Sequence, residues 1–207
     1  MNNHHNDKLS IVFDFGEVLL YWNPRFLYRR FFNGDEAAME RFLEEINFHE
    51  WNMMQDAGRP FAEGVAELTA RFPHYAELIQ AYDTCWEETV PGPVTGNVEI
   101  LRTLKKAGYP IHGLSNWSTE KFYSVRAKYD FFDLIDPIVL SGEEGIAKPD
   151  PRIFQLLLDR IGRPAGECLL IDDSQKNIQV ARELGFRAIR FQDSGQLTRE
   201  LKEMGIL

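Results

Sequence analysis

The chain reads LSIVFDF at residues 9–15, an apolar run of β-branched and aromatic residues that reaches an acid at Asp14. This pattern is typical of a buried strand that meets a loop at its end. Similar apolar runs follow in the C-terminal half, at residues 109–114, 134–140, 168–171 and 187–191. Helical patterns separate them, before Gly108, at residues 118–129, 151–161 and 174–184, and in the tail. Strands therefore alternate with helices.

This alternation predicts the fold class. Consecutive strands joined by helices need crossover connections, which produce parallel strands with helices on both faces of the sheet. We therefore expect an α/β protein with a parallel sheet flanked by helices. Ligands of such sheets bind beyond the carboxyl ends of the strands, so the residues that follow each strand are the candidates for chemistry.

A segment between the first strand and the repeating half has a different character. Residues 23–92 are rich in aromatic side chains and helical in pattern, with breaks near Asn33-Gly34, residues 58–60 and Pro73. An insertion of this length after a strand is typical of a lid or specificity element. We expect a helical insert at 23–92 and a core formed by residues 8–22 and 93–207.

Composition and charge exclude several classes of protein. Lys and Arg number 23 against 32 Asp and Glu, so the net charge of the 207 residues is -9, which predicts no nucleic-acid partner. No apolar stretch approaches the roughly 20 residues that span a bilayer, and we expect neither export nor membrane insertion. Two cysteines without a CxxC spacing favour the cytoplasm. His4 and His5 could bind a metal, but a polar terminus makes that the weaker interpretation.

Polar residues follow the predicted strands, and each is ambiguous when taken singly. Asp14, with Gly16 beyond it, could be a nucleophile or metal ligand, or simply a turn residue. Ser115 and Asn116 could hold phosphate oxygens, or cap a helix. Lys148 could neutralise a bound anion, although most lone lysines are solvated.

The last of these strands is followed by the pair Asp172-Asp173. Adjacent carboxylates repel each other unless a cation or a helix N-terminus offsets their charge, and helix capping is the simpler alternative. Hard oxygen ligands suit Mg²⁺. All four strand ends together provide a nucleophile, an anion anchor, a cation and a metal cage, which favours phosphoryl transfer.

Four segments in order resemble motifs I to IV of the haloacid dehalogenase superfamily. They are FDFGEVL at 13–19, LSN at 114–116, AKPDPRIFQ at 147–155 and LLIDDSQKN at 169–177. The resemblance covers residues 9–22 and 93–191. It implies a Rossmann-like core, and it identifies the insert with the helical cap found between motifs I and II in one branch of that superfamily.

The resemblance also implies roles for the strand-end residues. Asp14 would attack phosphorus and form an aspartyl-phosphate, while Lys148 would steady both the nucleophile and the anion. Ser115 would bind phosphate oxygens. The implied Mg²⁺ ligands are Asp14, the backbone carbonyl of Gly16, and the pair Asp172 and Asp173.

The chain departs from the superfamily pattern at Gly16, where a second Asp usually serves as general acid and base. Glu17 is adjacent and could substitute, but neighbouring side chains tend to point in different directions. An enzyme without that acid should favour phosphate esters with acidic leaving groups, such as hexose 1-phosphates over 6-phosphates.

Three functions stay open from the sequence. The first is a phosphatase for a small phosphorylated metabolite, similar to sugar-phosphate phosphatases of the α-glucose-1-phosphatase type. The others are a metal-independent 2-haloacid dehalogenase and a non-catalytic phosphate-sensing module. We expect residues of the insert and its entry, above all Trp22, to contact the substrate. The candidates for such contacts are Trp22, Trp51, Met53, Met54, Gln55 and Trp86. The alternative is that these residues pack the small core of the insert itself. Oligomeric state is not predicted.

Overall fold

The structure is a computed structural model that describes residues 8–207, so His4 and His5 lie outside the described residues. Within this range the chain forms seven strands. In chain order they are β1 (Ser10–Phe13), β2 (Leu20–Tyr21), β3 (Gly92–Pro93), β4 (Ile111–Ser115), β5 (Ile138–Leu140), β6 (Cys168–Asp172) and β7 (Arg187–Arg190). The described helices follow, also in chain order. They are α1 (Pro24–Tyr28), α2 (Glu36–Glu45), α3 (Phe48–Asp56), α4 (Phe61–Arg71), α5 (Ala76–Thr84), α6 (Thr95–Lys106), α7 (Thr119–Arg126), α8 (Ser141–Glu144), α9 (Pro151–Ile161), α10 (Gln175–Glu183) and α11 (Ser194–Glu203).

A five-stranded parallel sheet with the order β5-β4-β1-β6-β7 forms the centre of the molecule. Side chains of β1 alternate between its faces. Ile11 and Phe13 pack in one apolar cluster with α6 and α11, and Val12 packs in the other with α9 and α10. Helices therefore cover both faces, and the predicted α/β class is confirmed. No helix in residues 8–207 has the length and apolarity needed to cross a membrane.

Local signals in the sequence explain where several elements begin and end. Helix α9 has the predicted bounds, because Asp150 caps its first turn and Gly162 ends it in the left-handed conformation at φ 65°. The predicted strand at 134–140 is shorter than expected and begins only at Ile138. Only its first residue, Leu134, belongs to another element, the 3₁₀ turn Asp130–Leu134, which buries Phe131 and Phe132 in the core.

The segment between β2 and β3 is helical, as predicted. Helices α2 to α5 pack around an aromatic cluster that includes Tyr28, Phe42 and Tyr82. An additional break separates α2 from α3, where Asn47 adopts a positive φ of 50°. Strands β2 and β3 pair antiparallel, with Tyr21 opposite Gly92, and so hold the two ends of the insert side by side.

Candidate active site

The predicted strand-end residues meet at one edge of the sheet. Asp14 directly follows the central strand β1, Ser115 ends β4 and Asp172 ends β6. Because β4 and β6 flank β1 and all three run parallel, their carboxyl ends bring these side chains together. Lys148 reaches the same place from the loop before α9.

The carboxylate of Asp14 is fixed by donors on both oxygens. Its Oδ1 accepts hydrogen bonds from the backbone N–H of Phe15 at 2.7 Å and from Ser115 Oγ at 2.8 Å. Its Oδ2 lies 2.9 Å from Lys148 Nζ. These contacts hold the group in one orientation, with little of the residue exposed.

Lys148 is buried and uses all three of its ammonium donors inside the protein. Besides Asp14, its Nζ contacts the Leu114 carbonyl at 2.8 Å and Asp172 Oδ2 at 2.6 Å. Burial alone would lower the pKa of Lys148, but attraction to the two carboxylates outweighs it, and the pKa is raised. Lys148 is therefore a permanent cation between Asp14 and Asp172.

Asn116 fixes the backbone that carries this lysine. Its Nδ2 donates to the Lys148 carbonyl at 2.8 Å, and its Oδ1 accepts from the Lys148 N–H at 2.7 Å. The amide thus joins the loop after β4 to the loop before α9. Its predicted contact with a phosphate oxygen stays a prediction, because one Nδ2 proton remains for it.

Asp172 is fully buried and surrounded by donors. Its Oδ1 accepts from the Ser174 N–H at 2.9 Å and from Asn177 Nδ2 at 3.0 Å, and the same amide lies 3.0 Å from Oδ2. With Lys148, four contacts use the carboxylate's acceptor capacity. No role for Asn177 follows from the sequence, where it only ends the segment 169–177, but its amide holds the Asp172 carboxylate in place.

Three carboxylates converge on one point. Ligand atoms of Asp14, Asp172 and Asp173 all lie within 4.8 Å of one another, a hard oxygen donor set that fits Mg²⁺. Burial raises the pKa of Asp14 to about 7 although Lys148 opposes the shift, and burial together with Asp172 raises the pKa of Asp173. A bound cation would offset the repulsion between these carboxylates. Since Asp172 is already saturated with donors, Asp14 and Asp173 carry the oxygens open to an ion.

A small cavity of about 90 Å³ opens next to this cluster, toward the insert. It is lined by Gly16, Trp22, Asp56, Trp86, Asn116 and Trp117. Of the six residues at 22–86 that the sequence offered as substrate contacts, Trp22 and Trp86 line it. Trp51 and Gln55 are buried in the insert, where Trp51 Nε1 donates to the Gly64 carbonyl at 3.0 Å, whereas Met53 and Met54 are exposed on the surface. Sequence reasoning missed Asp56 and Trp117.

The backbone around Gly16 leaves room beside the nucleophile. A Cβ atom at Gly16 would meet nothing within 4 Å. Glu17 adopts a positive φ of 57°, and its Oε1 accepts the Trp22 N–H at 2.8 Å. Burial raises the pKa of Glu17. Glu17 therefore braces the turn after β1 through one of its oxygens.

Comparison with known proteins agrees with the four motifs. A sesquiterpene phosphatase, AstK, of Aspergillus oryzae is 23% identical over 94% of this chain and 95% of its own length. A D-ribitol-5-phosphate phosphatase of Bacteroides thetaiotaomicron is 24% identical over 93% and 96%. A solved HAD family enzyme from the latter organism, in complex with magnesium and inorganic phosphate, aligns with a TM-score of 0.67 at 24% identity, covering 90% of this chain and 95% of that one. This structural likeness shows the fold. The family model described as haloacid dehalogenase-like hydrolase matches residues 10–185, and the chain belongs to that family of hydrolases.

Proposed function

We propose that the chain is a Mg²⁺-dependent phosphomonoester hydrolase in which Asp14 is the nucleophile. The observation that carries the proposal is the placement of the Asp14 carboxylate between a buried cation, Lys148, and a second carboxylate, Asp173, that is open to a metal. An anion-binding module needs no carboxylate facing the anion. A metal-independent dehalogenase needs no acidic cluster of this kind.

We infer a role in the reaction for each side chain. An oxygen of Asp14 attacks phosphorus, the bond from phosphorus to the leaving oxygen breaks, and water later hydrolyses the aspartyl-phosphate. Ser115, 2.8 Å from Asp14 Oδ1, lies where it can donate to a phosphate oxygen. Mg²⁺ would be held by Asp14, Asp173 and the Gly16 carbonyl, with Asp172 next to them. The ion would neutralise charge on the phosphoryl group.

We infer that the substrate is a small sugar or polyol phosphate. Indole rings of Trp22, Trp86 and Trp117 line the cavity next to Gly16, and flat aromatic faces suit sugar rings. The cavity of about 90 Å³ admits a compact group. The helical insert at 23–92 serves as the cap that selects it. The relative that acts as a ribitol phosphate phosphatase supports this class, and the sesquiterpene phosphatase makes prenyl phosphates the alternative to test.

The test is a substrate panel with and without Mg²⁺, run on the wild type and Asp14→Asn. The panel contains hexose and pentitol phosphates, farnesyl phosphate, 4-nitrophenyl phosphate and 2-chloropropionate. We expect Mg²⁺-dependent release of phosphate, highest with a sugar or polyol phosphate, and a loss of about 10⁴-fold or more in Asp14→Asn. Asp133→Asn is the control, since its exposed side chain lies far outside the site.

Other outcomes identify the alternatives. Chloride release that persists in EDTA would make the chain a dehalogenase, and no turnover with tight phosphate binding would make it a sensing module. Undiminished activity of Asp14→Asn would contradict the covalent mechanism. Farnesyl phosphate as the best substrate would retain the mechanism and overturn the sugar assignment.

A further inference from the structure

The core side of the site lacks a group that can protonate a leaving alkoxide. Ser115 donates to Asp14, the protons of Lys148 are all engaged, and Gly16 has no side chain. A leaving oxygen must nevertheless gain a proton when the phosphorus–oxygen bond breaks, unless it is already a stable anion. The donor has to come from another part of the molecule.

Asp56, the last residue of α3, contributes the one carboxyl group among the six residues that line the cavity next to Gly16. Its Oδ2 accepts a hydrogen bond from Asn52 Nδ2 at 2.7 Å. The orientation of that amide is fixed in turn, because Asn52 Oδ1 accepts from the buried Tyr82 hydroxyl at 2.6 Å. Asn52 thus holds Oδ2 as an acceptor, and a protonated carboxyl keeps one O–H to donate.

The backbone of Asp56 is attached to the core. Its carbonyl accepts a hydrogen bond from Ser141 Oγ, and the same Oγ accepts the N–H of Trp117 at 2.9 Å. Ser141 is fully buried and begins α8, immediately after β5. This bridge places the end of α3 at a defined position relative to the loop after β4, which carries Ser115 and Asn116.

One residue that lines the cavity has a buried polar group without a partner in residues 8–207. Trp117 lines the cavity, and its Nε1–H is buried and makes no hydrogen bond there. An unpaired buried donor costs free energy, so a movement of this ring that brought the N–H to an oxygen of a bound ligand would be favourable. The oxygen-bearing leaving group of a phosphate ester supplies such an acceptor.

We propose that Asp56 is the general acid and base of this site, delivered from the helical insert in place of a residue next to the nucleophile. This inference rests on the proposed phosphatase function. As Asp14 attacks phosphorus, the neutral Asp56 gives its proton to the leaving oxygen, which departs as an alcohol. Asp56, now a carboxylate, takes a proton from the water that attacks the aspartyl-phosphate, so Asp14 is freed, phosphate is released and Asp56 is protonated again.

Electrostatics around Asp56 agree with this role. Burial and, to a smaller extent, the negative charge of Asp14 raise the pKa of Asp56 to about 8, against hydrogen bonds from the Ser118 N–H and Asn52 that lower it. Tyr82 is the other titratable group that faces it, and its own pKa is raised well above the usual range. Asp56 is therefore protonated at neutral pH, as a general acid must be.

Glu17 is the competing candidate, because it stands next to Gly16. Its Oε1 is used by the Trp22 N–H, its residue is exposed, and it does not line the cavity. The two candidates lead to different expected kinetics for the variants Asp56→Asn and Glu17→Gln, so an experiment can distinguish them.

The test compares three phosphate esters of similar shape and falling leaving-group acidity: 4-nitrophenyl, phenyl and benzyl phosphate. We expect a shallow dependence of kcat/KM on leaving group in the wild type. Asp56→Asn keeps the size of the side chain and an oxygen that can accept from Asn52, but it has no acid proton. We expect it to lower kcat/KM by about 100-fold or more for benzyl phosphate, and by less than about threefold for 4-nitrophenyl phosphate.

Two further variants complete the experiment. Glu50→Gln removes an exposed carboxylate from the same helix and should leave all three values unchanged. Glu17→Gln should keep the shallow wild-type dependence. A leaving-group-dependent loss in Glu17→Gln, or an equal loss or no loss for the three esters in Asp56→Asn, would overturn the proposal.

A pH profile of the wild type gives a second measurement that needs no variant. For benzyl phosphate, kcat/KM should fall as pH rises through the range in which Asp56 loses its proton, and this fall should be absent for 4-nitrophenyl phosphate. Identical profiles for both esters would overturn the assignment. The proposed function fails on different results, among them an Asp14→Asn variant that still hydrolyses 4-nitrophenyl phosphate.

Discussion

The two sides of the active site are built differently. On the core side, Asp14, Lys148 and Asp172 form a chain of contacts between 2.6 and 2.9 Å, and Lys148 has no proton left for another partner. On the side of the cavity that faces the insert, here called the insert side although Trp117 itself belongs to the core, aromatic residues line an open cavity and the Trp117 N–H has no partner within the described residues. The core side is therefore held by internal contacts, whereas the insert side keeps a donor that these residues do not pair.

This difference separates the tasks of the two regions. Groups that are already oriented need no reorganisation as charge develops, which is where most electrostatic catalysis comes from. A surface with an unpaired donor discriminates between ligands instead, because only a ligand with a matching acceptor avoids the cost of burial. We therefore expect changes on the core side to affect stability and turnover, and changes on the insert side to affect which esters react.

The largest effect is expected for Lys148→Met. Met fills a similar volume but leaves Asp14 and Asp172 as buried carboxylates without their shared cation. Breaking a buried charge pair on one side costs about 3–5 kcal/mol of unfolding free energy, and the loss should grow with rising pH as Asp14, whose pKa burial raises to about 7, ionises. Urea unfolding at several pH values measures it, and phosphatase activity should be lost as well.

Lys128→Met is the matched control for that substitution. Lys128 pairs with Glu87 on the surface, and both side chains are about half exposed. Exposed pairs contribute less than about 1 kcal/mol. If the two variants lost similar stability, the ion pair in the core would be no stronger than one in solvent, and the contrast between the two regions would disappear.

A second large effect is expected for Asp173→Ala. The variant removes the carboxylate most open to a cation, while Asp172 keeps all its donors. We expect kcat/KM to fall by about 100-fold and the Mg²⁺ concentration for half-maximal activity to rise by about tenfold or more. Asp133→Ala, at an exposed ion pair, should change neither quantity. Unchanged Mg²⁺ dependence in Asp173→Ala would remove this residue from the metal site.

The sequence predicts the core side well, because its residues follow strands of a parallel sheet. Strand ends in such a sheet share one edge, so the order of Asp14, Ser115 and Asp172 along the chain already implies their proximity. Family membership and the α/β class follow from the same pattern. The roles given to the individual side chains stay predictions.

The insert side could not be predicted in the same way. Asp56 is an acid at the end of a helix, followed by Gly58, and locally it resembles any helix terminus. Its position depends on Ser141 and Trp117, 85 and 61 residues away in sequence, which only tertiary packing brings to it. The sequence does not distinguish Trp51 from Trp22, yet Trp51 packs in the insert and Trp22 lines the cavity.

A smaller effect, confined to binding, is expected for Trp22→Ala. Trp22 is partly exposed at the cavity wall, and its backbone N–H contact with Glu17 survives the substitution. We expect KM for the best sugar phosphate to rise by about tenfold with kcat nearly unchanged, since a ring that only contacts the substrate contributes equally before and during the reaction. A fall in kcat at constant KM would instead mean that Trp22 acts in turnover, as the residues on the core side do.

The last effect concerns stability alone and does not depend on any reaction. Burial raises the pKa of Asp56 from 3.8 to about 8, so between these values the folded protein keeps a proton that the unfolded chain releases. Its contribution to the unfolding free energy is fully present below pH 4 and is lost as pH rises from there through 8. Asp56→Asn cannot titrate, so its stability relative to the wild type should increase by about 1 kcal/mol for each pH unit between pH 5 and pH 8. Urea unfolding in EDTA measures this difference without interference from a bound cation. Asp133→Asn, which removes an exposed carboxylate, is the matched control. A difference for Asp56→Asn that stays constant with pH would mean that Asp56 ionises as freely as a surface acid, and the insert side would then lack the protonated group that sets it apart from the core.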